Sequence, residues 1–222
     1  MKISKLLPIT MLVALGMSVT ASQALEASDP LLYQLTVPEY IKITSESTKQ
    51  TGTLSFSDDY AGFTVNAMDA TFRVVSNAPE KKVVLTATTK SSDGVEVNAL
   101  GGTAANPYVV FANTTVDYVP TLTQIQNATN APAKAENPNC FGLSLTPGTV
   151  ENDINDSFTD ANYAIVGEDA NGADRALQGT LTNGITTLPF TFGTSNDVAE
   201  TFSLHDTMGE YQATLTMTEV AL

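Results

Sequence analysis

Tyr211-Gln212-Ala213-Thr214-Leu215-Thr216-Met217-Thr218 alternates without a break, apolar at Tyr211, Ala213, Leu215 and Met217 and polar at the positions between them. Successive side chains of a strand point to opposite faces, so this run has one face to bury and one to leave in water. The other end of the chain carries the same pattern. In Leu31-Leu32-Tyr33-Gln34-Leu35-Thr36-Val37 the apolar residues Leu31, Tyr33, Leu35 and Val37 share a face, and Pro38 separates them from a second short run, Tyr40 to Thr44, with Ile41 and Ile43. A terminal segment stays ordered only when something ties it down, so an arm patterned this strongly is expected to pair with a sheet, in its own molecule or in a neighbour.

The chain between these ends has the same texture. Leu54 with Phe56, Phe63 with Val65 and Ala67, Phe72 to Ser76, and Val83 with Leu85 and Ala87 are short strand-like runs, separated by Ser57-Asp58-Asp59 and Asn77-Ala78-Pro79. Ser91-Ser92-Asp93-Gly94 predicts a hairpin into Val95, Val97 and Ala99. Tyr108–Phe111 and Val116–Val119 are compact apolar runs, and Gly101-Gly102 breaks the pattern before them. No run of 3.6-residue period stands out after the first residues. Threonine, valine, tyrosine and phenylalanine dominate the patterned segments. The expectation is an all-β chain, an immunoglobulin-like β-sandwich with extra hairpins and an N-terminal extension strand.

Two local signals refine it. Asn183-Gly184, flanked by Leu181 and Ile185, suits the two positive-φ positions of a type I′ turn and predicts a two-residue hairpin. Its return run, Leu188, Phe190 and Phe192, contains Pro189, which predicts an edge strand or a bulge. From Asn127 to Asn139 there is almost nothing to bury, which predicts a long loop or a linker, and the acids concentrate between Glu151 and Asp174. The expected layout is a leader over residues 1–24, a donor-like arm over 25–38, and one sandwich domain over 39–222 with a polar and acidic insertion at about 127–175. Any second boundary would fall within 127–139.

Lys2 and Lys5 precede an apolar stretch from Leu6 to Val19, and Ser22-Gln23-Ala24 supplies the small residues of a cleavage site. This is the pattern of a secretory signal peptide, cut after Ala24 or, as a second choice, after Ala21. The stretch is short of the roughly 20 apolar residues of a membrane-spanning helix, and no later segment could cross a bilayer. Loss of the two leader lysines takes the formal charge from −14 to −16. So acidic a surface repels nucleic acid and anionic lipid, which removes both as partners. Cys140 is the single cysteine, so no internal disulfide forms, and beside Phe141 it reads as a small buried residue.

Catalytic material is scarce. His205 is the one histidine, no Gly-x-Ser-x-Gly elbow accompanies it, and Asp206, its neighbour on a strand, points to the opposite face. One histidine and one cysteine are too few for a zinc site. The expectation is a protein that is not an enzyme and has no cofactor, with calcium as a possible exception. Asp169-Ala170-Asn171-Gly172-Ala173-Asp174 places the oxygen ligands Asp169, Asn171 and Asp174 around a glycine, as hard-cation loops do, although it lacks EF-hand spacing. Asn113, Asn127 and Asn155 begin Asn-x-Ser/Thr triplets, which matter only in a eukaryotic secretory pathway.

The arm from Leu31 to Val37 followed by Pro38 and a new strand, the run Phe72–Asn77 followed by Lys82–Ala87, and Gly209-Glu210-Tyr211 leading into Leu215 and Thr216 together resemble the chaperone–usher pilins, most closely the disulfide-free CFA/I-like major subunits. The resemblance implies a sandwich lacking its last strand. Phe72–Asn77 and Lys82–Ala87 would be paired early strands. A periplasmic chaperone would cover the open groove until the next subunit's arm replaced it at an outer-membrane usher. Leu31, Tyr33, Leu35 and Val37 would then be the donor residues, and the strand bearing Tyr211, Ala213, Leu215 and Met217 would flank the groove. The implied product is a homopolymer, an extracellular fimbrium active in cell adhesion and biofilm. Two alternatives stay open: a self-complemented sandwich whose arm folds back onto its own sheet, and a secreted binding module for a glycan or surface partner, with or without calcium.

Overall fold

The computed structural model describes residues 34–46, 52–56, 63–66, 68–103, 105–130, 139–153, 164–166, 175–193 and 206–220. In chain order the strands are β1 (Ile41–Ser45), β2 (Thr53–Phe56), β3 (Phe63–Asn66), β4 (Asp69–Ser76), β5 (Lys81–Lys90), β6 (Glu96–Asn98), β7 (Leu100–Gly102) and β8 (Pro107–Asn113). A 3-10 turn at Val116–Tyr118 and a helix, α1 (Leu122–Thr129), follow. Then come β9 (Cys140–Pro147), β10 (Glu151–Asn152), β11 (Ala164–Val166), β12 (Ala176–Leu181), β13 (Gly184–Gly193), β14 (Tyr211–Gln212) and β15 (Thr214–Val220).

These strands form an all-β sandwich, and every pairing is antiparallel. One sheet has the order β1-β4-β13-β9-β8-β14, with β10 added to β13 and β7 to β8. The other has the order β11-β12-β5-β15, with β6 added to β5, and β2–β3 is a separate hairpin. The chain divides into a segment ending at Val37 and one compact unit from Pro38 to Leu222.

The core follows from the period-two pattern. Val83, Leu85 and Ala87 of β5 and Leu177 and Leu181 of β12 are buried together with Phe72 and Val74 of β4, Leu188 and Phe190 of β13, and Leu143 and Leu145 of β9. Phe190 meets Phe72 edge-on, with ring centres 6.2 Å apart. On β5 the intervening Val84, Thr86 and Thr88 are only half-buried, as their alternation predicts.

β8 is buried at all seven positions. Its uninterrupted apolar run is explained by a second covering layer, as for any strand buried on both faces. Phe111 stacks on Phe141 within the main core, while on the opposite face Ala112 joins Ile125 of α1 and Val97 in a separate small cluster. Tyr108 Oη donates to Ala128 O at 2.9 Å. Cys140, fully buried, has its sulfur 3.9 Å from Gln124 O, also against α1.

This helix corrects the expectation of a chain without helical segments and of a loop beginning at Asn127. Thr121 and Gln124 form a reciprocal capping box, and Ile125, Ala128 and Thr129 are buried. Arg175 Nη1 donates to Thr129 O at 2.7 Å, which satisfies a carbonyl at the helix end. The apolar run at Val116 also differs from a strand. It is a 3-10 turn with Val116 and Tyr118 exposed.

The Ser91–Gly94 hairpin forms as expected, with Thr88 opposite Asn98, Lys90 opposite Glu96, and Gly94 at φ +75°. The Asn183-Gly184 hairpin does not. β12 pairs with β5 and β11 and β13 with β4, β9 and β10, so the turn carries the chain from one sheet to the other. Gly184 takes φ +110°, whereas Asn183 is outside the positive-φ region, which rules out a type I′ turn. Core burial decides the geometry: Leu181 and Leu188 contribute to the core from opposite sheets.

β4 and β5, expected as a pair, are likewise on opposite sheets. β13 is a central strand and not an edge. Pro189 sits between its pairing with β10 at Thr186–Thr187 and its pairing with β9 from Phe190 onward. Gly148 N donates to Pro189 O at 2.8 Å. A residue's N–H and C=O point to the same side of an antiparallel strand, so the missing N–H faces the β9–β10 connection, where no ladder bond is lost.

Candidate functional site: two free strand edges

The end of the chain crosses between sheets. Tyr211 and Gln212 pair with Asn113 and Ala112 of β8, and after Ala213 the chain pairs with β5 from Thr214 to Val220. Tyr211 fixes this corner. Its hydroxyl donates to Thr207 O at 2.6 Å, four residues upstream, as tyrosine corners of immunoglobulin-like sandwiches do. Its ring lies 4.8 Å from that of Phe141. Burial pushes the phenol up to about 12, Asp206 and Cys140 push in the same direction, and a hydrogen bond with Asn113 partly opposes them. Gly209 packs so closely that a Cβ there would lie 2.7 Å from Asn113 Oδ1 and 2.8 Å from Thr115 Oγ1.

Beyond the corner, Ala213 and Leu215 are half-buried and Met217 is buried, while Gln212, Thr214, Thr216 and Thr218 are exposed. β5 occupies one side of β15, and among the described residues no strand pairs with the other. β1 is similar: Ile41 to Ser45 pair with Ser76 to Phe72 of β4, and the outer side carries no described partner. The two edges approach each other. Ile41, Ile43, Ala213 and Leu215 pack against the main core while remaining partly exposed.

Natural proteins blunt free edges with lysine, proline or a bulge, because unpaired N–H and C=O groups recruit other strands. β15 contains no lysine or proline, and its one charged residue, Glu219, stands next to its last. It is an edge seven residues long with an incompletely covered apolar face.

The edges meet at an ion cluster that the sequence reading did not single out. Lys81 Nζ pairs with Glu219 Oε1 at 2.7 Å and with Glu39, just before β1. The Lys81 side chain is only 7% exposed. The available signal was its parity, since Lys81 belongs to the inward series that continues with Val83, Leu85 and Ala87.

Gln34 to Tyr40 carry no strand assignment, so the described part of the arm is not paired with its own sheet. A strand persists only with a ladder partner, and this segment has none assigned. Leu35 is 93% exposed and Val37 78%. Leu31 and Tyr33 lie outside the described residues, as do His205, Asn155, the Asp58-Asp59 pair and the candidate calcium ligands Asp169, Asn171 and Asp174. Among the described residues no cluster of three or more His, Cys, Asp or Glu could hold a metal, and no helix is long and apolar enough to cross a membrane. Asn113 is fully buried within β8, so its triplet is closed to a glycan. No protein-family model matches the chain, and no curated relative does.

Proposed function

We propose that this protein is a non-enzymatic structural subunit of an extracellular fibre. Its N-terminal arm adds as a strand to the free edge at the β1–β15 corner of the next copy. The observation that carries this reading is the complementarity between arm and corner. β15 is an unblunted seven-residue edge beside the partly covered Ile41, Ile43, Ala213 and Leu215. Leu31–Val37 is also seven residues long, with apolar side chains at every second position, and Leu35 and Val37 are uncovered. In strand addition the main-chain hydrogen bonds supply affinity, and alternate side chains in pockets supply specificity. Covering each large apolar side chain contributes roughly 1.5–3 kcal/mol before ordering costs.

A contact in which the arm of one copy meets a different surface of the next is heterologous and propagates as an open filament. The chain would reach the surface by secretion through the periplasm, with a chaperone covering the corner and an outer-membrane usher as the assembly site. Adhesion and biofilm roles follow from the fibre.

The test is electron microscopy and unheated gel electrophoresis of the secreted chain, with and without Leu35→Asp and Val37→Asp together. Both side chains are exposed, so the variant should melt within about 1 °C of the parent, in line with the small effect of surface substitutions. It should run as a monomer while the parent forms ladders. Equal behaviour of the two would sink the proposal.

A further inference from the structure

The ion cluster at Lys81 closes one end of the corner, and we infer that it is the register stop for the incoming strand. This rests on the reading of the corner as a strand acceptor. A slip of one residue is excluded by burial, since it turns every apolar side chain to water. A slip of two preserves both faces, and the exposed side of β15 discriminates poorly against it. Its residues there, Thr214, Thr216 and Thr218, present the same side chain at each step. The inner stripe, Ala213, Leu215 and Met217, changes in size from step to step, and a contact at one end adds to that discrimination.

The Glu219 end is built to do so. Lys81 reaches this corner from the buried face of β5 and joins Glu219 of β15 to Glu39. The backbone on the other side is pinned as well. Asn77 Nδ2 donates to Pro38 O at 2.8 Å, Tyr40 N donates to Asn77 Oδ1 at 2.7 Å, and Asn77 N donates to Tyr40 O at 3.2 Å. The stop therefore consists of a lysine fixed by burial, two carboxylates from different segments, and a chain held by one asparagine. At the Thr214 end no ion pair among the described residues bridges the two edges. The lysine is buried while Glu39 and Glu219 remain 58% and 31% exposed, so these pairs add little net stability. The best-attested use of ion pairs anchored in this way is to specify a register. An added strand enters from the Thr214 side and halts at Glu219, so Lys81, Glu39 and Glu219 act as positioning residues.

Disulfide trapping in the full secreted chain tests this. Thr36 lies between the two uncovered arm residues and, in an added strand, shares the outer face with Thr214, Thr216 and Thr218, all exposed. Thr36→Cys is combined in turn with Thr214→Cys, Thr216→Cys and Thr218→Cys, and dimers are quantified without reductant. Bridging requires Cα atoms within about 7 Å, so only a near neighbour is captured. One of the three pairs should dominate. Adding Glu39→Gln and Glu219→Gln should shift product to the position two residues away, with the ratio of main to neighbouring product falling roughly fivefold, the discrimination one ion pair can supply. Lys81→Met, which keeps an apolar stem, should do the same, and the carboxamide pair keeps the test valid if that variant fails to fold. Unchanged trapping at a single position in all variants overturns the stop and leaves the acceptor reading intact. No trapping at any position in the parent overturns both.

Discussion

At the scale of single residues, Tyr211 shows how a sequence position becomes a structural fixture. Its hydroxyl returns to Thr207 O while its ring packs on Phe141, so one side chain holds both the turn before the strand and the core behind it. Burial raises its proton affinity, to a pKa of about 12 against an ordinary value of 10.0. The folded state therefore binds this proton more tightly than the unfolded state. The stabilisation is present in full below the unfolded value of 10 and is lost as the pH climbs to about 12. Tyr211→Phe should lower the unfolding free energy at neutral pH by about 1 kcal/mol through the missing hydrogen bond. Between pH 10 and 12 its stability should fall less steeply than that of the parent. Urea titrations across that interval check both effects, and parallel curves would show that the phenol does not carry the linkage.

At the scale of elements, much of the fold was legible because burial on one face imposes period two. The burial of β5 and β15 follows the apolar spacing read from the chain, whereas β9 does so only from Leu143 onward, its first four residues being buried on both faces. Pairing was less legible, because Asn183-Gly184 reports a turn without saying whether its two strands bond to each other. Here each strand had other partners, and the turn became a crossing between sheets. The two alternatives make different demands on Asn183, since a type I′ turn needs positive φ at both residues whereas the observed crossing needs it at Gly184 alone. Asn183→Ala should thus shift the urea midpoint slightly, by under about 1 kcal/mol, and Gly184→Ala should cost at least twice as much. Comparable losses at both positions would argue for the hairpin. α1 was hidden for a different reason: it is eight residues long and buries only Ile125, Ala128 and Thr129, too narrow a stripe to stand out among strands. Thr121 and Gln124 held the capping-box spacing that could have revealed it. For the Lys81 cluster, parity marked the lysine as inward-facing but not its partners, since Glu39 and Glu219 lie near the two sequence ends of the compact unit.

At the scale of the whole molecule, donor and acceptor surfaces reside on separate parts of one chain, so they can be disabled independently. Leu35→Asp with Val37→Asp removes the donor face and leaves the corner. Leu215→Asp places a carboxylate on the half-buried acceptor stripe and leaves the arm. Neither variant should assemble alone. Mixed, they retain one productive contact, the arm of the Leu215→Asp chain in the corner of the arm variant. That complex presents a damaged arm at one end and a damaged corner at the other, so growth must stop at two. Sedimentation of the mixture should show a heterodimer and nothing larger, at an abundance that rises with salt, because such acidic chains repel one another until counter-ions screen them. A reciprocal two-fold exchange of arms would leave the same single intact contact in the mixture, and the parent separates the two cases, since it would then stop at two copies instead of growing. Assembly that continues past two copies, or a mixture that stays monomeric at all salt concentrations, would contradict head-to-tail strand addition even if the parent protein forms fibres.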